Sequence, residues 1–328
     1  MIKVCIYGAG AIGGLIGARL AATGNCAVSA VARGATLAAL QQHGWRVLRD
    51  GELLQAPCAS ASADPRALGV QDIVVVAVKS QAMGAVADAI APLIGPQTLV
   101  VPAMNGVPWW FAQGITCLGE APLESVDPGG RIARAIPLEQ VLGCVVYASA
   151  SMPEPGLVAH KMGLGLVLGE PQGGDSARLR DLVALLNAAG FEARASAAVR
   201  QDIWYKLWGN MTMNPISAIT GATIDRILDD DLVRDFCSLA MAEAALIGEH
   251  IGCAVAQSPE DRHAVTRQLG AFKSSMLQDV EAQRSIELDA IVGAVLEIAH
   301  RLDMRVPNIS ALMGITRLFA RSRQLYPA

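Results

Sequence analysis

"YGAGAIGGLIGARLAATGNCAVSAVARG", residues 7–34, decides the fold. It continues the short apolar run "IKVCIYG" and spaces Gly8, Gly10 and Gly13 as G-x-G-x-x-G. A β-rich run that enters a glycine turn and leaves as "AIGGLIGARLAATG" reads as strand, tight turn and helix. Each glycine has a mechanical task there. Gly8 permits the turn, Gly10 lets a diphosphate reach the backbone, and Gly13 lets the helix pack on the strand. The helix N-terminus then offers free N–H groups and a positive dipole end to the phosphate. Gly8, Ala9, Gly10, Ala11, Ile12 and Gly13 are therefore candidate dinucleotide-binding residues.

The stretch closes on Arg33, just after the second strand-like run "AVSAVAR". NAD-binding folds commonly put Asp or Glu there, to grip the ribose 2′-hydroxyl. A carboxylate repels a 2′-phosphate, whereas a guanidinium binds it through paired, charge-assisted bonds. Arg33, with no acid beside it, points to NADP(H) over NAD(H); the plain alternative is a surface arginine after a strand. Lys79 ends the apolar run "DIVVVAVK". It reads either as a neighbour of the phosphates or ribose or as a solvated strand-end lysine.

The alternation continues outward. "TLAALQQHG" reads as a helix, and "DIVVVAVK" and "TLVVPAMNG" as continuous apolar strands. Such strands separated by helices indicate a parallel sheet covered on both faces. Residues 111–140 read as a long Gly/Pro-rich loop. "VLGCVVYASASM", "GLVAHKM" and "GLGLVLGE" read as short antiparallel strands with turns at Pro155–Gly156 and Gly163. "DSARLRDLVALLNAAG" reads as a helix with Asp175 as N-cap and Gly190 as its stop. From about residue 197 only helical patterns remain. The expected architecture is α/β: a Rossmann-like dinucleotide-binding domain over 1–196, then an all-α domain over 197–328.

Composition narrows the function classes. The chain has 328 residues, 52% of them hydrophobic, with net charge −4. That length suits about two domains. The acidic balance argues against nucleic acid. The seven cysteines include no CxxC pair and the five histidines are scattered. We expect a reduced, cytoplasmic protein with no metal site. The N-terminal run after Lys3 resembles a short signal peptide, but its glycines favour a strand entering a turn. No uncharged apolar run reaches the ~18 residues of a membrane span.

The most informative later stretch is "WYKLWGNMTMNP", residues 204–215. Lys206, Asn210 and Asn214 stand at i, i+4 and i+8, one polar stripe on a helix. Trp204, Tyr205 and Trp208 are expected to surround the lysine, and Pro215 to end or kink the helix. A solvated face would carry more charge than one lysine. The stripe suits binding and polarising an oxygen-rich small molecule.

With "GAGAIG", "MNG", "KLWGNMTMNPISAITG" and "SSMLQDVEAQRSIELDAIVG", the chain resembles the ketopantoate reductase family over nearly its whole length. These are the 2-dehydropantoate 2-reductases of pantothenate biosynthesis, on the way to coenzyme A. The resemblance implies NADPH-dependent reduction of 2-dehydropantoate to pantoate. It implies Lys206 as the proton donor and Asn210 and Asn214 as substrate-holding amides. It implies Ser275 at the substrate carboxylate and Glu287 at the substrate hydroxyl, where it also helps orient the site. Asn105 would lie near the nicotinamide, and Asn105 and Glu287 would border cofactor and substrate alike. Taken alone, Glu287 is more often a helix-start carboxylate.

Ser275 and Glu287 are 12 residues apart. That is roughly 18 Å along one straight helix, too far to meet one small substrate. A break near 284–285, with Ser285 as the cap of a new helix, is therefore expected. Two features depart from the family. Ile224 or its neighbours occupy a turn that often carries another asparagine, and the connection over 107–140 is long and contains Trp109 and Trp110. That connection reads as a lid, or equally as a surface insertion or oligomer contact. Both departures bear on the substrate, so a reductase of another small 2-oxo or 3-oxo acid is the second reading. An NADP-binding sensor without turnover is the third; the intact lysine, amides, serine and glutamate speak against it. A homodimer is left open.

Overall fold

The computed structural model describes residues 1–268 and 270–327. The chain divides into two compact units: residues 1–104 with 131–202, and residues 105–130 with those from Ile203 onward. The boundary expected at 196/197 thus lies short of the division after Asp202. Residues 105–130, expected in the first domain, group with the second unit.

In the first unit, β1 (Ile2–Tyr7), α1 (Ala11–Ala22), β2 (Cys26–Val31) and α2 (Gly34–His43) form from the opening stretch. Then come β3 (Trp45–Arg49), β4 (Glu52–Ala56), β5 (Ala61–Ser62), β6 (Ile73–Val76), α3 (Met83–Ala89) and β7 (Leu99–Pro102). After the excursion into the second unit follow α4 (Arg131–Ala135), β8 (Gly143–Glu154), β9 (Leu157–Gly169), α5 (Ala177–Ala188) and β10 (Glu192–Ala195). One sheet, β5-β2-β1-β6-β7, is parallel throughout. Its order reverses between β1 and β6, which opens a crevice at their carboxyl ends.

A second sheet, β10-β9-β3-β4 with β8 on β9, goes beyond the sequence reading. Its β3–β4 hairpin turns at Asp50 and Gly51, whose φ values of 51° and 85° suit the tight turn that Asp-Gly favours. Residues 143–169 form one long hairpin turning at Pro155–Gly156. Gly163, expected as a turn, has φ +70° opposite the register shift between Tyr147 and Ser149, a bulge inside β9. The second sheet explains why α1 is apolar all round: it is buried on both sides. A Cβ on Gly17 would lie 2.7 Å from the Trp45 ring, and one on Gly14 would lie 2.6 Å from Val158. Helix α5 is capped by Ser176, whose Oγ accepts from Leu179 N–H, and not by Asp175, which pairs with Arg180. Gly190, at φ +78°, ends it as expected.

The helix α6 (Val199–Thr220) runs across the division and into the second unit. There follow α7 (Ile224–Asp229), α8 (Asp231–His250), α9 (Pro259–Arg267) and α10 (Ser275–Glu281), then a π-turn over Asp289–Gly293, α11 (Ala294–Arg301) and α12 (Pro307–Ser322). Pro215 neither ends α6 nor stops it short of Thr220. Residues 211–215 are all buried, so packing holds the turn that the missing N–H weakens.

Trp204 Nε1 donates to Ala244 O at 3.2 Å and Trp208 Nε1 to Met241 O at 2.7 Å, both on α8. Phe111 stacks on Trp204 at 5.9 Å, and Trp109, Trp110 and Phe111 are buried. Arg301 donates to the carbonyls of Leu118, Ala121 and Pro122, and Glu297 accepts from the N–H groups of Glu124 and Ser125. Residues 107–112 are thus packed into the helical unit and 118–125 are tied to α11, while 114, 116, 117 and 119–121 lie exposed.

Candidate active site

In the first unit the glycine turn sits where the sheet order reverses. Gly8 has φ +99°, and a Cβ there would lie 2.6 Å from Val78 Cγ1. A Cβ on Gly13 would lie 2.1 Å from the Gly8 carbonyl oxygen, so only glycine lets α1 start this close to β1. Gly10 differs: a Cβ on it would meet nothing within 4 Å. Gly10 is the N-cap of α1 and makes no side-chain capping bond. Open space therefore stands beside a helix N-terminus that no side chain caps, a fit for a diphosphate.

Arg33 is exposed at the N-cap of α2. Its guanidinium has no hydrogen-bond or ion-pair partner among the described residues. Its charge reaches Tyr7, whose hydroxyl burial pushes up while Arg33 pulls it back down. Lys79 lies beyond the end of β6, exposed, at the N-cap of a short 3-10 turn.

In the second unit Lys206 Nζ donates to Asn105 Oδ1 at 2.8 Å. Both residues are half-buried. Two devices hold this pair. On α6, Trp204 and Trp208 grip α8; Lys206, two residues from Trp204, points about 200° away around the helix. The aromatics therefore anchor the far face of α6 and do not surround the lysine. On the other strand of the pair, Val107 N–H donates to Ala290 O at 2.8 Å. Gly106, at φ +82°, lies against Ala290 so closely that a Cβ would be 2.6 Å from that oxygen. Ala290 belongs to the π-turn, a local widening that frees helical carbonyls for outside partners. No residue type signals that turn, and sequence reasoning missed both it and the part Gly106 plays.

Asn210 and Asn214 lie on the lysine's stripe of α6. Asn214 is only 7% exposed, yet its amide has no hydrogen-bond partner among the described residues. Asn210 and Ser275, both half-buried, likewise have none. These polar groups are therefore available to water or to a ligand. Ser275 opens α10, which Ser274 caps by accepting from Leu277 N–H at 3.1 Å.

The helix break expected near 284–285 is present and spans 282–287. Helix α10 ends at Glu281; Gln283 has φ +51°, and Arg284 N–H returns to Asp279 O at 2.8 Å. This is a left-handed stop made without glycine. Ser285 makes no capping bond among the described residues. Helical geometry resumes at Leu288, so Glu287, 6% exposed, sits just ahead of the next helix and not in its first turn. Ile224, read from the sequence as part of a turn, is the buried first residue of α7. Among the described residues no group of His, Cys, Asp and Glu is placed to hold a metal, and no helix is long and apolar enough to cross a membrane.

An uncapped helix N-terminus after a glycine turn suits a dinucleotide, and the chain is of the nicotinamide-dependent oxidoreductase class. More narrowly, it belongs to the ketopantoate reductase PanE/ApbA family: that family's model matches residues 4–173, and the model of its C-terminal region matches residues 198–320. It is 42% identical to the 2-dehydropantoate 2-reductase of Mesorhizobium japonicum, over 99% of this chain and 100% of that one. A Ralstonia solanacearum MolK2 protein put forward as a ketopantoate reductase is 53% identical, with 99% of each chain covered and a TM-score of 0.93. D-mandelate dehydrogenase, solved with NADH and anilino(oxo)acetate, shares the fold: TM-score 0.85, 20% identity, 99% of this chain and 100% of that one.

Proposed function

We propose that the protein reduces 2-dehydropantoate to pantoate with NADPH, using Lys206 as proton donor. The observation that carries this reading is the 2.8 Å bond from Lys206 Nζ to Asn105 Oδ1, on a stripe shared with Asn210 and Asn214, whose amides have no partner among the described residues. End-to-end likeness to the Mesorhizobium japonicum enzyme supports the choice of substrate.

The dinucleotide, when bound, supplies hydride to the ketone carbon. The ketone oxygen then becomes an alkoxide and needs a proton within hydrogen-bond reach. The Lys206 ammonium has three donors in rotation. Asn105 accepts one of them, which fixes the direction of the others without removing the charge. Transfer of one proton leaves a neutral amine that solvent recharges. Asn210, Asn214 and Ser275 offer donors to an oxygen-rich acid, and Glu287 offers an acceptor to its hydroxyl. Gly8 to Gly13 cradle the diphosphate, and Arg33 reads the 2′-phosphate. Lys79, on its exposed turn, supports the phosphates or ribose.

Replacing Lys206 by Met removes the proton but keeps the apolar stem. kcat should fall by about 10²–10⁴ while NADPH affinity stays near wild type. An undiminished kcat would sink the assignment. A panel of small 2-oxo and 3-oxo acids, read by NADPH oxidation, tests the substrate; a better turnover of another acid would replace it.

The cytoplasmic assignment is supported by seven cysteines that are all free thiols. A homodimer is supported by Leu232, Leu239 and Leu246, exposed on α8 at seven-residue spacing. Sedimentation equilibrium would decide it, and a monomer at micromolar concentration would refute it.

A further inference from the structure

The stretch that carries Glu287 has no helical ladder of its own, and residues beyond α12 hold it. Helix α12 ends in a reversal: Gln324 N–H donates to Arg321 O at 3.0 Å and Leu325 N–H to Ala320 O at 2.8 Å, with Gln324 at φ +59°. This Schellman-type stop turns the chain back instead of letting it run on. It brings two groups to the non-helical stretch. Leu325 O accepts from Ile286 N–H at 3.1 Å, and Tyr326 O–H donates to Asp289 Oδ1 at 2.5 Å. Residues 286 and 289 bracket Glu287 on either side.

We propose that Tyr326 is a positioning residue for Glu287, acting through this two-point clamp; the proposal rests on reading Glu287 as a substrate-binding group. The bond to Asp289 is charge-assisted, so it is both short and directional. Burial, and after it the bond to Asp289, push the Tyr326 hydroxyl up to about 12, which keeps it a neutral donor across the working pH range. Its ring also lies under the Arg321 guanidinium at 5.7 Å, a contact that a phenylalanine would retain. Asp289 opens the π-turn whose next residue, Ala290, holds Val107 N–H. The clamp therefore backs the segment next to Asn105 as well.

The test is steady-state kinetics with NADPH and 2-dehydropantoate on wild type, Tyr326→Phe, Glu287→Gln and the double variant. Tyr326→Phe should raise KM for the oxo acid about tenfold, the scale of a small misplacement of a binding group. KM for NADPH should stay near wild type; neither constant depends on the folded fraction, so a purely structural role would move neither. In the Glu287→Gln background the same change should add less than about twofold, because coupled groups do not add. Asp289→Asn keeps an acceptor oxygen but loses the charge assistance and should raise KM less than Asp289→Ala, which should match Tyr326→Phe. Full additivity of Tyr326→Phe and Glu287→Gln overturns the clamp. A damaging Glu287→Gln with a silent Tyr326→Phe overturns it too, and leaves the substrate reading of Glu287 standing. A silent Glu287→Gln overturns both.

Discussion

Replacing Gly10 and Gly13 by Ala, one at a time, separates holding the fold from holding the dinucleotide. At Gly13 the new methyl would land 2.1 Å from the Gly8 carbonyl oxygen, 2.9 Å from Ile6 Cγ2 and 3.1 Å from Ala77 Cβ. The first of these is backbone and cannot swing aside, so α1 must lift from β1. Overpacking costs about 1–3 kcal/mol, and a clash this close belongs at the top of that range. At Gly10 the methyl would meet nothing within 4 Å, and φ of −78° suits any residue. Ala is a poorer N-cap than Gly, so stability should fall by at most about 1 kcal/mol. The same methyl stands over the N–H groups of α1, where a phosphate oxygen would approach. Losing one charge-assisted bond there is worth about 1.5–3 kcal/mol, or roughly a 10- to 100-fold rise in Kd for NADPH. Urea unfolding by circular dichroism and NADPH titration by fluorescence read the two effects apart. Gly13→Ala should lower the unfolding midpoint strongly, and Gly10→Ala should weaken NADPH at a nearly unchanged midpoint. Wild-type NADPH affinity in Gly10→Ala would refute the cradle, and an unchanged midpoint in Gly13→Ala would refute the packing.

Arg33→Asp should weaken NADPH at least about tenfold and NADH much less, since a carboxylate repels only the 2′-phosphate; equal losses in the two KM values would remove Arg33 from cofactor choice. Gly106→Ala sets a side chain at φ +82° against Ala290 O. It should cost about 2 kcal/mol in urea unfolding and also lower kcat, because the Asn105 segment must move; an unaltered kcat would separate that segment from the chemistry. Burial raises the Glu297 carboxyl, but bonds from Ser125 O–H and N–H, Glu124 N–H and Arg301 outweigh it and hold it below the usual range. A depressed carboxyl stabilises above its unfolded value and loses that stability as pH falls through its folded one. Glu297→Gln should therefore melt lower than wild type at neutral pH, with the gap closing in acid; a gap that persists at low pH would contradict this.

The legible parts of the fold were those with local chemistry. The glycine turn, the apolar parallel strands and the Lys206–Asn210–Asn214 stripe are short-range patterns, and the structure builds them where the spacing puts them. The second sheet was hidden because its strands come from residues 45–56, 143–169 and 192–195, and no periodicity links such distant pieces. Its β3–β4 hairpin does carry a local signal, the Asp50–Gly51 pair. Pro215 misled because a local rule against helix yielded to burial of residues 211–215. The stop after α10 was invisible because Gln283 takes a conformation normally left to glycine. The requirement that Ser275 and Glu287 converge pointed to a break all the same, so a chemical constraint located what propensity did not.

The excursion of residues 105–130 into the helical unit has a consequence for the proposed chemistry. Asn105 follows β7 in the chain, yet it is the first residue of the segment that groups with Lys206. Had Asn105 belonged to the sheet, the 2.8 Å contact to Lys206 Nζ would depend on two units keeping register. Instead both partners are tied to one unit: Lys206 through Trp204 and Trp208 on α8, Asn105 through Val107 and Gly106 on Ala290. The buried Trp109, Trp110 and Phe111, with the Glu297 and Arg301 bonds beyond them, then secure the rest of the excursion. A donor aligned in advance costs no reorganisation at the moment of proton transfer. The glycine cradle, by contrast, needs only open space and free N–H groups, which the first unit provides alone. Variants in the excursion should therefore act on kcat, and a variant at Gly10 on cofactor affinity.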